Sequence, residues 1–141
     1  MNRYTEWSAF ILRLVLGITF FVHGVVKFQG GIANTAGWFD SIGLPGMLAY
    51  AVAFIETAGG LALILGIGTR VFSAILALVM VGAIFKVKLA AGFIGNGQSA
   101  GYELDLALLA MSASLALTGS SFLALDQFFS KEDHETIKRS A

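Results

Sequence analysis

Cysteine is absent from this 141-residue chain, and proline occurs once, at Pro45. Without cysteine there are no disulfides, no thiolate nucleophile and no cysteine-held iron–sulfur cluster. Charge is scarce too: 13% of residues are Asp, Glu, Lys or Arg, nine of each sign. A water-soluble domain of this size carries about 25% charged residues. The zero net charge removes the basic footprint that nucleic-acid binding requires. No glycine-rich turn follows a strand and opens a helix, so the glycines of GFIGNGQSAGY are a loop and not a nucleotide fingerprint.

What the chain has instead is apolar sequence in long runs, 57% of its residues being hydrophobic. A membrane-crossing helix needs roughly 17–25 mainly apolar residues. Four segments meet that length: 7–28, 48–67, 71–93 and 104–125. They are apolar all round, as lipid-facing helices are, and four such helices would not fit inside a small soluble core. The expected fold is all-α, a polytopic membrane four-helix bundle formed by residues 1–128, with 129–141 a polar tail. Arg13, His23 and Lys27 stand where a cleaved signal would have none of them, so the first span is retained.

The connections differ in kind. Spans two and three are joined by a tight hairpin in which Gly66 and Gly68 supply the freedom a helix stop needs. Between spans one and two, AGWFDSIGLPG predicts a short interfacial helix, with Trp38 and Phe39 at the membrane–water boundary and Gly43 and Pro45 ending it. Arg3, Arg70, Lys131, Lys138 and Arg139 fall on one side of the four spans. Lys27, Lys86 and Lys88 fall on the other, each still on a helix end. By the positive-inside bias both termini are cytoplasmic, and His134, in the solvated tail, is idle.

Ionisable groups within spans carry the functional signal, because each costs roughly 2.5–3.5 kcal/mol at the bilayer centre and so faces the interior with a partner. Glu56 lies about 12 Å below the outer boundary, and His23 about 7–8 Å. The two are expected to meet if their helices are adjacent. Arg13, Gly17, Phe20, Gly24 and Lys27 share one helix face, with His23 on its flank. Glycines on such a face admit a neighbouring backbone or a flat ligand. Span two repeats the theme with Glu56, Thr57, Gly59 and Gly60. At the outer mouth, residues two apart on a helix point apart. Only one of Lys86 and Lys88 is therefore expected inside, paired as Lys88–Glu103 or Lys86–Asp105.

Plainer readings stand beside these. The lysines can snorkel to headgroups and Arg13 to phosphates. Glu103 and Asp105 can be helix N-terminal acids, and a Glu56–His23 contact can be purely structural.

The sequence resembles the DoxX family of small bacterial membrane proteins from about Arg13 to Asp126. The resemblance rests on R-L-V-L-G at 13–17, H-G-V-V-K-F at 23–28, E-T-A-G-G at 56–60 and L-G-I-G-T-R at 65–70. It continues in G-Y-E-L-D-L at 101–106, L-T-G at 117–119 and L-D at 125–126. It implies a four-helix bundle of the bacterial cell membrane tied to quinone and sulfur redox metabolism, whose members include a subunit of a thiosulfate:quinone oxidoreductase and oxidoreductases linked to catechol or quinone stress.

The function expected is then an oxidoreductase, or a subunit of one, that meets quinone, quinol or a related aromatic substrate in a polar intramembrane pocket. His23 and Glu56 would exchange protons as catalytic residues. Arg13, Gly17, Gly24, Lys27, Lys88 and Glu103 would bind the substrate. No covalent cofactor and no metal are expected, and with one histidine in a span, bis-histidine haem within one subunit is excluded. A redox protein partner is therefore required, and a homo-oligomer is allowed. The alternatives are a small proton-coupled or phenolic-compound transporter and a non-catalytic scaffold for a soluble redox enzyme.

Overall fold

The computed structural model describes residues 2–129, and the tail beyond them, with His134 and its lysines, lies outside the described residues. Among these residues the chain is helical, with a single isolated β-bridge between Gly95 and Ala100. Helix α1 spans Arg3–Gln29, α2 Ile32–Ser41, α3 Met47–Leu65, α4 Thr69–Ala83 and α5 Glu103–Thr118. A π-helical turn, Ile84–Lys88, and a 3₁₀ turn, Leu89–Ala91, extend α4. Three helical stretches are long and apolar enough to cross a membrane: Arg3–Gln29, Met47–Leu65 and Thr69–Ala91.

Local chemistry sets the ends. Asn2 caps α1, its side-chain oxygen accepting from Thr5 N at 2.9 Å, with Glu6 in the first turn; this satisfies an otherwise orphaned donor. Helix α3 stops at Gly66, which has φ 73°, and Ile67 N returns to Ala62 O at 2.8 Å. That is the left-handed stop glycine permits. The hairpin therefore turns through Gly66, Ile67 and Gly68. Helix α5 ends earlier than the expected 125, at Thr118, because Gly119 takes φ 71° and ψ −176°. At about 1.5 Å per residue its 16 residues reach about 24 Å.

Helix α1 packs along α3, α4 along α5, α3 against α4 and α5 against α1. Leu16, Phe20, Leu63, Leu76, Leu108 and Leu115 fill the centre. Outside, Ile11, Val15, Ile18, Val22 and Val26 form an exposed apolar stripe on α1, opposite the buried face of Arg13, Gly17, Phe20 and Gly24. Lipid tails are as apolar as the core, so close packing rather than water exclusion must hold such helices together. Glycine provides it. A Cβ on Gly60 would meet the backbone of Phe21 and lie 2.7 Å from Gly17 O, and one on Gly17 would lie 2.9 Å from Gly60 O. A Cβ on Gly24 would strike Thr57 and approach Ala53 O to 2.9 Å.

At the hairpin end, Arg13 is wholly buried. It donates to Ser120 O at 3.0 Å and Leu123 O at 2.9 Å, and its guanidinium lies over the Phe10 ring. The turn after α5 thereby closes onto the α3–α4 hairpin: Leu125 N bonds to Leu65 O at 3.0 Å, and Gly68 N to Asp126 Oδ2 at 2.8 Å.

Two stability tests follow. Arg13→Met strands two carbonyls and should cost about 3 kcal/mol, seen as a lower unfolding midpoint in detergent. Gly60→Ala forces backbone apart and should cost about 1–3 kcal/mol by the same assay, whereas Gly82→Ala, with open space around it, should be neutral.

Candidate functional site

At the end of the helices away from the hairpin lies an enclosed hollow of about 300 Å³, formed by α1, α3, the extended end of α4 and α5. Helix α2 and the segment after it cover it with Trp38, Phe39 and Leu44. The cover is braced from within: Asp40 Oδ1 accepts from Gly46 N at 2.8 Å and Leu44 N donates to Phe39 O at 2.9 Å. Most of the wall is apolar, with Val52, Val79, Met80 and Leu108 prominent.

Two ion pairs are set into this wall. Lys27 Nζ of α1 lies 2.5 Å from Glu56 Oε2 of α3, and Lys88 Nζ lies 2.6 Å from Asp105 Oδ2 of α5. In each the carboxylate is the buried member, its side chain 4% exposed in Glu56 and 9% in Asp105, while the lysines are about a quarter exposed. A carboxylate removed from water keeps its charge only when a cation is held against it. The lysine stem is long enough to bring its ammonium inward from the helix end.

Several expectations change here. Glu56 pairs with Lys27 rather than with His23; His23 is exposed, on the cavity wall, one turn from Lys27. Arg13 is absent from the cavity, being committed to the turn after α5. Gly17 and Gly24 are filled by α3 and leave no room for a flat ring, because a Cβ on either already collides with that helix. Glu103 is exposed and its neighbour Asp105 is the inward acid; neither expected pairing at this mouth forms. Lys86 and Lys88 both line the cavity. The α-helical rule that separates residues two apart fails because the chain there is π-helical, with i→i+5 bonding.

Sequence reasoning passed over Lys86, Asp105 and the aromatic cover as site residues. The wheel already placed Lys27 on the Gly17–Gly24 face, which was the available sign that it, and not His23, would meet α3. Among the described residues no three His, Asp or Glu side chains gather into a metal site.

An all-helical membrane protein with a charge-studded apolar cavity beneath a short amphipathic cover is the class this geometry defines. The chain belongs to the DoxX family, whose model matches residues 8–89. It is 48% identical over 131 residues to the Bacillus subtilis (strain 168) protein named "Putative oxidoreductase CatD", covering 93% of each chain. An uncharacterized membrane protein of Mycobacterium tuberculosis is 32% identical over 88% of this chain and 82% of its own. An uncharacterized protein of Haemophilus influenzae is 30% identical over 94% and 98%. No solved structure matches the chain.

The buried pair is testable by a double-mutant cycle. Lys27→Met should destabilise the protein by about 3 kcal/mol, since it strands a buried carboxylate. Adding Glu56→Gln should recover a large part of that loss, a coupling of about 1–3 kcal/mol in detergent unfolding.

Proposed function

We propose that the chain is a four-span oxidoreductase component of the bacterial cell membrane that takes quinone, quinol or a related aromatic redox substrate into this cavity. The observation that carries the reading is the cavity itself: an apolar space of about 300 Å³, within the size range of small-molecule sites, with proton-exchanging groups confined to its rim. Quinone reduction consumes two electrons and two protons, so the site must bind a flat apolar ring, donate to its carbonyls and move protons. The Lys27 and Lys88 ammonium groups are donors, and Glu56 and Asp105 are acceptors held beside them. His23, on the same wall, exchanges protons near neutral pH. The name of the Bacillus subtilis relative, an oxidoreductase, agrees with this assignment.

In the arrangement proposed, α5 is the fourth crossing and closes a bundle in which α1, α3, α4 and α5 follow one another around a common core. Helix α2 lies in the membrane interface over the cavity mouth. The bias of Arg3 and Arg70 puts the hairpin end in the cytoplasm and the cavity toward the outer leaflet. The chain has no cysteine, and its only other histidine, His134, lies in the tail. Reducing equivalents therefore come from a partner protein or a diffusible reductant.

Trp38, at the cavity, reports occupancy. In a Trp7→Phe background, a short-chain quinone added to purified protein should quench its fluorescence saturably, and Ala83→Trp, which fills the cavity, should abolish the saturable phase when binding is followed by calorimetry. Glu56→Gln should weaken binding about tenfold, as expected for loss of a charged hydrogen-bonding partner. Unchanged affinity in both variants would remove the cavity from the function.

A further inference from the structure

Both carboxylates that line the cavity are already matched. Glu56 belongs to Lys27 and Asp105 to Lys88, at 2.5 and 2.6 Å. Of the charged groups that face the space, His23 and Lys27 come from α1, Glu56 from α3, Lys86 and Lys88 from the π-helical extension of α4, and Asp105 from α5. Helix α2 adds none, because Asp40 is turned to the backbone of Gly46. Glu103, the nearest further acid in sequence, is exposed and outside the lining. Among the described residues Lys86 has no acidic partner. The cavity thus carries one uncompensated ammonium on an otherwise apolar wall, brought there by the π turn.

An apolar space with one unmatched cation is complementary to an apolar molecule with one negative charge. Such a site discriminates against the neutral form, because the unpaired cation is served only by the anion. We propose that the cavity takes its ligand as a monoanion, a phenolate or its equivalent, and that Lys86 receives the charge. The inference rests on the reading that this cavity is the substrate site, and it narrows the substrate class to aromatic compounds that ionise at an oxygen. Lys86 is a binding residue in this scheme, whereas Lys27 and Lys88 stay bound to their carboxylates.

The test compares 4-nitrophenol, above its own pKa, with its methyl ether 4-nitroanisole, at one fixed pH so that His23 and the protein are in the same state throughout. Trp38 quenching is read in the Trp7→Phe background in a non-ionic detergent, with the Ala83→Trp variant, followed by calorimetry, as the baseline for partition into micelles. The phenolate should bind about tenfold more tightly than the ether. Lys86→Gln should erase that preference while leaving the ether within about twofold, and Lys86→Arg should restore it. Lys86 is exposed, so these variants should keep the unfolding midpoint of the parent. Equal affinity for the two compounds in the parent protein would overturn the inference and leave the quinone reading standing. Equal weakening of both by Lys86→Gln would likewise overturn it, by making Lys86 a packing residue. If neither compound binds the parent while a quinone does, the monoanion assignment falls alone; if the quinone fails too, the site falls with it.

Discussion

A carboxylate sunk among hydrocarbon-facing helices must have a cation held against it, and the architecture around the cavity is what meets that demand twice. Glu56 needs Lys27, which begins on a different helix and near its end. The ammonium reaches it only because α1 and α3 approach at backbone distance, through Gly17, Gly24 and Gly60. Asp105 needs Lys88, and obtains it because the end of α4 is wound as a π turn. Widening either approach by a methyl group would pull a cation from a buried anion, so packing and charge are one constraint here. The apolar hollow is what remains between the two clamps.

The opposite end of the molecule solves a related problem with backbone groups. Helices that stop inside or near a bilayer leave carbonyls that water cannot reach, and each is costly unless a donor is supplied. The turn after α5 supplies amides to Leu65 and Gly66, and Arg13 supplies two more donors to that turn. A buried arginine that reads from sequence as a candidate substrate clamp is therefore a fastener of the chain's last described segment. The two ends divide the labour: polar groups at the hairpin are saturated by the protein itself, whereas those around the cavity keep a side open to it.

Much of this was visible in the residues. The apolar runs declared a membrane protein, the Gly66–Gly68 pair declared the hairpin, and the family motifs were read where the family model matches. Glu56 and Lys88 were also correctly singled out as inward and charged, because hydrocarbon tolerates no idle acid. Which groups pair was harder. Reckoning depth from Cα positions favoured His23 for Glu56, since it ignored a lysine stem that folds back several ångströms. Ideal α-helical spacing excluded having both Lys86 and Lys88 inside, since nothing in I-F-K-V-K announces wider winding. The glycine face was recognised as an approach surface, but sequence does not say whether a helix or a ligand does the approaching. Here the helix does.

The π turn has one more implication, for how this family can diversify. Winding of that kind amounts to a single extra residue accommodated within a helix. Removing one residue between Ile84 and Lys88 would return the segment to ordinary winding and swing everything beyond it by about 100° around the axis. Lys88 would leave Asp105, and the loop leading into α5 would start from a different azimuth. Substitutions here can drift, but insertions and deletions cannot be graded: chain length in this short stretch works as a ratchet that fixes which lysine looks inward.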